Sequence, residues 1–206
     1  MSGLRSYGDP CGIARALDLV GERWALLVVR ELTFGPKRFT DLRAGLSGAS
    51  PNVLSQRLRD LEAGGVIRRH TVGAPTYELT ERGCKLHPIL LQLGRWGAQS
   101  SPRPPGPLSV DAFMVALEST FKPEAAADLS ATFALRLVDD RFAVTVNHGS
   151  IAISRGTPRA PDATITCTPG VLRALVFGDQ KLQGAAVELE GDTRVARSFF
   201  RLFARP

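Results

Sequence analysis

From position 13 onward the apolar residues of this chain return every three or four positions, the spacing of helices that bury one face. Ile13, Ala16, Leu17 and Val20 form one stripe, and Trp24, Leu27, Val28 and Leu32 form a second before Gly35-Pro36 breaks the chain. Arg38 to Leu46 predicts a short helix that runs into the turn Ser47-Gly48-Ala49. Ser50 is placed to cap the next helix and Pro51 suits its first position, where a missing N–H costs nothing. Along that helix Leu54, Leu58 and Leu61 share one face, and Asn52, Gln56 and Arg59 fall on the opposite one. Gly64-Gly65 ends it. Val66 to His70 and Thr76 to Thr80 then read as two strands around a Gly73-Ala74-Pro75 turn. Helical spacing resumes over Glu81 to Gln99, with Leu86, Ile89, Leu90, Leu93 and Trp96 on one side.

Helix, turn, capped helix and basic hairpin, in that order, make a winged helix-turn-helix. Three signatures sharpen this: a Cys before the first helix (Cys11), a G-x-R-W step at Gly21 to Trp24, and the segment SPNVLSQRL from Ser50 to Leu58. Residues 7 to 97 resemble the HxlR family of bacterial winged helix-turn-helix transcription regulators. The resemblance implies a homodimer on a pseudo-palindromic operator in double-stranded DNA. Asn52, Gln56 and Arg59 are the candidates for base edges, since amides suit adenine and guanidinium suits guanine. Lys37, Arg38, Arg57, Arg68 and Arg69 are the candidates for phosphates, and Ser50 and Ser55 complete the DNA-facing set. The apolar side of 81 to 99 is expected to pack against the second subunit, with packing on its own domain as the alternative. The resemblance also implies that Cys11 responds to oxidants or electrophiles. The start of a helix favours thiolate, and Arg15 lies one turn on, although Asp9 opposes it.

SSPRPPGP, residues 100 to 107, holds four prolines in eight positions and no periodicity, and reads as a semi-rigid linker between domains at 1 to 99 and 108 to 206. Beyond it the pattern changes. Val110 to Phe121 predicts an amphipathic helix, and Thr132 to Leu137, Phe142 to Asn147 and Ile151 to Arg155 alternate as strands around the turns Asp139-Asp140 and Asn147-His148-Gly149. Ala163 to Cys167 and Val187 to Glu190 continue the sheet, with helices at Pro169 to Phe177 and Arg194 to Ala204. The fold class is α+β in this half and for the chain as a whole. The element order, the segment LQGAAVELEGD and the placing of Gly184 and Gly191 are similar to the sterol-carrier-protein-type lipid-binding fold. That likeness implies an apolar tunnel for a small hydrophobic ligand. Phe113, Leu117, Phe133, Leu135, Phe142, Leu172, Val176, Phe199 and Phe203 are its candidate lining, and ordinary core is the alternative use of the same residues.

Charge agrees with this division. The net +6 of the 206-residue chain is concentrated in residues 1 to 100, with 14 Lys+Arg against 9 Asp+Glu, which places an anionic partner there. No apolar run is longer than that of Trp24 to Val29, far short of the roughly 20 residues that span a bilayer, so a cytoplasmic protein without a membrane partner is expected. Cys11, Cys84 and Cys167 have neither zinc nor disulfide spacing and read as free thiols. His70, His87 and His148 lack metal-ligand neighbours, and Asp139-Asp140 sits in a turn, so no metal, cofactor or catalytic residue is expected. The competing reading of function is a redox or electrophile sensor acting through Cys11, with the second half serving only for docking or dimerisation.

Overall fold

The computed structural model describes residues 6–99, 106 and 108–205. The chain forms two compact units: residues up to Leu90 together with Gly106–Ala112, and Leu91–Pro105 together with Phe113 onward. Most of the expected linker, residues 100–105 and 107, lies outside the described residues.

The first unit runs α1 (Gly12–Val20), α2 (Ala25–Glu31), β1 (Lys37–Arg38), α3 (Phe39–Gly45), α4 (Pro51–Ala63), β2 (Ile67–His70), β3 (Thr76–Leu79) and α5 (Glu81–Cys84), and reaches the first turn of α6 (His87–Gly97). Its core gathers Val28 and Val29 of α2, Leu42 of α3, Leu54, Leu58 and Leu61 of α4, and Leu90 of α6. The apolar face read from the sequence of α4 is therefore the buried one. In the first stripe the structure differs. Helix α1 buries Ala14 and Val20, and leaves Ile13 and Leu17 at 72% and 42% exposure. On α6, Ile89, Leu93 and Trp96 are exposed by 55%, 45% and 70%, whereas Leu90 lies in its own unit's core at 7%.

Three local departures have physical causes. Arg38 does not start the helix expected to Leu46; with Lys37 it forms a short strand pairing with β3, so the wing sheet has three strands in the order β1-β3-β2. The helix expected over 81 to 99 breaks between Cys84 and His87, because Pro88 lacks an N–H and its ring would meet the carbonyl of Cys84 four residues back. Trp24 is left-handed, φ 78°, just ahead of α2. The turn that demands this follows Gly21, where an added Cβ would stand 2.5 Å from the Leu17 carbonyl oxygen. The G-x-R-W step is thus a tight connection between α1 and α2.

The second unit contains α7 (Val110–Thr120) from Phe113 on, a 3-10 turn at Pro123–Ala126, β4 (Ser130–Leu137), β5 (Asp140–Asn147), β6 (Ser150–Arg155), β7 (Ala163–Thr166), α8 (Pro169–Val176), β8 (Glu188–Gly191) and α9 (Thr193–Phe199). The five strands lie in the order β6-β5-β4-β7-β8. Only β4 and β7 run parallel among the described pairs. Alternation along β5 sends Phe142, Val144 and Val146 inward. The hairpin joining β4 to β5 turns one residue earlier than expected, at Val138 and Asp139, and holds Val138 at φ 58°. The last helix ends at Phe199 rather than Ala204, and Phe203 instead bridges to Phe121.

Candidate nucleic-acid interface

Ser50 caps α4 by accepting a hydrogen bond from the Val53 amide at 3.3 Å, and Pro51 follows as its first residue. The helix is therefore stopped cleanly at the end that carries Asn52, which is exposed together with Ser50. One turn further on, the Gln56 amide donates to Asp60 Oδ1 at 2.7 Å and accepts from Arg59 Nη2 at 2.6 Å. Gln56 and Arg59 are thus pre-ordered as a pair, with Arg59 the exposed member and Ser55 half-buried beside them. Arg57 faces another way: its guanidinium meets Asp60 at 3.2 Å and Glu22 at 3.8 Å, and its side chain is 16% exposed. That arginine ties α4 to the end of α1.

The wing is positioned from the same core. Thr80 donates to the Gly65 carbonyl at 2.7 Å and caps α5 by accepting from the Gly83 amide at 3.1 Å. Arg82 donates to the Gly64 carbonyl at 3.0 Å, so both ends of the hairpin are fastened to the close of α4. Gly83 has no substitute there, since an added Cβ would collide with the Val66 carbonyl. On the strands, Arg68 and His70 both reach Glu78 on the facing strand, and these two hydrogen bonds, that of His70 first, hold the Glu78 carboxyl below the usual carboxylate value. Arg69 lies over the Tyr77 ring, 5.9 Å from its centroid. The pairing of β1 with β3 sets the exposed Arg38 at the third strand of the wing.

Lys37 has a different environment from Arg38. Its Nζ is 2.8 Å from Glu31 Oε2 and 2.6 Å from Asp111 Oδ2, with the side chain 15% exposed. Glu31 is fully buried and also receives Arg30 at 2.9 Å and the Ser109 hydroxyl at 2.7 Å. Burial by itself raises the Glu31 pKa; Lys37, Ser109 and Arg30 outweigh it and hold the carboxyl below 4.5. This network in the first unit escaped the sequence reading. Its signal was available: Glu31 sits between Val28-Val29 and Leu32, all of them buried, so a carboxylate there demands partners.

Among the cysteines, Cys11 is the exposed residue ahead of α1, and its amide donates to Asp9 at 2.8 Å. Cys84 is exposed too, whereas burial pushes the Cys167 thiol up to about 11 and keeps it protonated. The nine apolar candidates of the second half are all buried there. Phe133 and Phe199 meet edge to face at 5.1 Å between centroids, as do Phe199 and Phe203. Among the described residues no group of three His, Cys, Asp or Glu is arranged to hold a metal. No described helix is long and apolar enough to cross a membrane.

Residues 19–104 match the HxlR-like helix-turn-helix family. The uncharacterized HTH-type transcriptional regulator YvaP of Bacillus subtilis is 36% identical over 89 residues, 41% of this chain and 82% of that protein. The chain belongs to the HxlR-like helix-turn-helix family. A second relative of this HxlR-like chain, the uncharacterized HTH-type regulator Mb3122 of Mycobacterium bovis, is 42% identical over 99 residues, 46% of this chain and 62% of its own length. Among solved structures, quinone-bound YodB from B. subtilis is 32% identical, with a TM-score of 0.39, covering 43% of this chain and 97% of that one. Residues 114–204 match the SCP-2 sterol transfer family, so the HxlR-like half is followed by an SCP-2 domain. The winged helix-turn-helix and the α+β second domain expected from the sequence are both present.

Proposed function

We propose that this HxlR-like regulator binds a pseudo-palindromic operator as a homodimer, with α4 in the major groove and the wing against the backbone or minor groove. The observation that carries the reading is the composition of one surface. Asn52, Arg59 and Ser50 are exposed at α4, with Gln56 and Ser55 half-buried among them, and Arg38, Arg68 and Arg69 are exposed on the three-stranded wing. Asn52, Gln56 and Arg59 read base edges; Arg38, Arg68 and Arg69 hold phosphates and set the register. Lys37 and Arg57, satisfied by carboxylates, orient the surface rather than touch DNA. The exposed face of α6, Ile89, Leu93 and Trp96, is the contact with the second copy, which brings two recognition helices to two half-sites. The test is to recover the genomic fragments that the protein retains and to footprint them. Paired half-sites about one helical turn apart, lost with Leu93→Asp, are expected; an unpaired site bound by a monomer overturns the reading.

The proposal extends to the SCP-2 domain as the receiver of a hydrophobic effector. The match to a sterol transfer family supports this part. Because Phe133, Phe199 and Phe203 pack on one another, entry of such a ligand separates α9 from β7 and β8, on which it rests. Mass spectrometry of the solvent extract, followed by titration of fatty acids and sterols, checks it. A second reading is favoured by the exposure of Cys11 at the head of α1. There the input is an oxidant or electrophile, and Cys11→Ser abolishes the response of DNA binding to diamide while leaving binding itself unchanged.

A further inference from the structure

Helix α9 carries Arg194 and Arg197 three residues apart, away from the buried Ala196 and Phe199, and Arg201 follows in the turn just beyond the helix. The arginines are exposed. Three other arginines of the second unit are paired with carboxylates: Arg136 with Glu190 at 3.2 Å, Arg155 with Asp140, and Arg205 with Asp179 at 2.6 Å. No carboxylate among the described residues pairs with Arg194, Arg197 or Arg201. The nearby Asp192 is occupied as the helix cap, accepting from the Arg194 and Val195 amides at 2.8 and 3.1 Å. Like charges at Arg194 and Arg197 weaken so short a helix, and among the described residues no carboxylate pairs with either.

These three side chains also share a cavity. With Thr193, Ser198 and Ala125 they line a space of about 630 Å³, within the range of small-molecule sites. Ala125 comes from the 3-10 turn at Pro123–Ala126, so this solvent-open pocket is walled by two elements and is not one bare helix face. Its lining holds three guanidiniums and no carboxylate. The Ser198 hydroxyl donates to the Val195 carbonyl at 2.7 Å, which leaves its lone pairs to accept.

We infer that the Arg194, Arg197 and Arg201 cavity of the SCP-2 domain binds a small molecule carrying clustered phosphates, of the size of a nucleoside diphosphate. Guanidiniums match phosphate oxygens in bidentate fashion, and three on one wall exceed what a single monoanion can use. Three guanidiniums gathered around one pocket favour a compact ligand over the phosphates of a duplex, which are spread along a strand. The site is separate from the aromatic core proposed for a hydrophobic effector.

The experiment titrates the full chain with pyrophosphate, ADP, adenosine and a short duplex by calorimetry, alongside Arg197→Gln and the triple variant R194A/R197A/R201A. Circular dichroism and thermal melting of both variants report folding. Saturable binding of pyrophosphate and ADP, none of adenosine, and a loss of about tenfold or more in the triple variant are expected, with duplex affinity unchanged. Arg197→Gln, which keeps two of the three charges, should weaken ADP severalfold, and it keeps the test decisive should the triple variant melt early. Absence of saturable binding of both phosphates, or wild-type affinity for them in the variants, overturns the inference. So does a loss confined to duplex affinity, which would assign this face to DNA.

Discussion

Helices α4 and α9 are both amphipathic and carry two arginines each, yet they dispose of that charge in opposite ways. On α4, Arg57 is held by Asp60 and Glu22, and Arg59 is braced on Gln56, itself fixed by Asp60. On α9, Arg194 and Arg197, with Arg201 just beyond, meet no carboxylate among the described residues. A surface that reads base edges gains from side chains held in place before contact, because ordering them at binding costs about 0.5 to 1.5 kcal/mol each. A cavity for a compact anion gains from unneutralised charge. The number of arginines on a helix therefore says less than what they already hold.

Four perturbations break or sharpen this contrast. The largest removes the floor beneath α4. Leu90→Asp places an unpaired carboxylate in a core position 7% exposed and should unfold the first unit, at about 3 kcal/mol or more, read by urea denaturation. Leu93→Asp, on the exposed face of the same helix, should instead leave the fold intact and convert a dimer to a monomer in sedimentation. Equal loss of stability from both changes would show that the α6 face is not a subunit contact.

Gly83→Ala comes next. It forces a methyl group onto the Val66 carbonyl and should destabilise the chain by about 2 kcal/mol, loosening the wing from α4. A melting temperature equal to that of the parent would show that the Val66 strand yields at no cost.

Within the proposed interface, Arg59→Ala and Asn52→Ala should cost roughly 1 to 3 kcal/mol on the preferred operator and little on random duplex. Arg69→Ala should weaken all sequences alike and lower the salt slope by about one. Arg57→Ala is the sharpening control: if Arg57 only orients α4, the salt slope stays as it was while stability falls. A slope lowered by Arg57→Ala would return that residue to the phosphate set.

The smallest effect concerns pH. Glu31 has its carboxyl pKa lowered in the folded chain, so the charged form stabilises the fold above the ordinary carboxylate value of 4.5. That contribution is lost as pH falls from 4.5 through the lower folded value. Glu31→Gln should flatten this part of the acid limb in denaturation profiles while lowering stability near neutrality. An acid limb identical in parent and variant would show that other carboxylates carry it.

Much of the fold was legible because helical and strand periodicities are local properties of the chain. Leu54, Leu58 and Leu61 predict the buried face of α4, Ser50 and Pro51 predict its start, and the alternation from Thr132 to Arg155 predicts the β4–β5–β6 meander within a few residues. For α4 and its cap, side-chain spacing and a missing N–H act within one or two turns, so no tertiary information was needed.

Only the tertiary structure decided which members of each pattern were free. Leu90 and Leu93 occupy the same sequence stripe, and packing of α6 buried one and left the other exposed. Lys37 and Arg38 are adjacent cations; the pairing of β1 with β3 sends Lys37 to Glu31 and Asp111 and leaves Arg38 in solvent. Asp111 and Ser109 come from more than 70 positions away, beyond the reach of any local pattern. Charge and hydrophobicity are properties of single residues and can be read from the sequence. Whether a charge is neutralised or an apolar face covered depends on which distant segment the fold brings beside it.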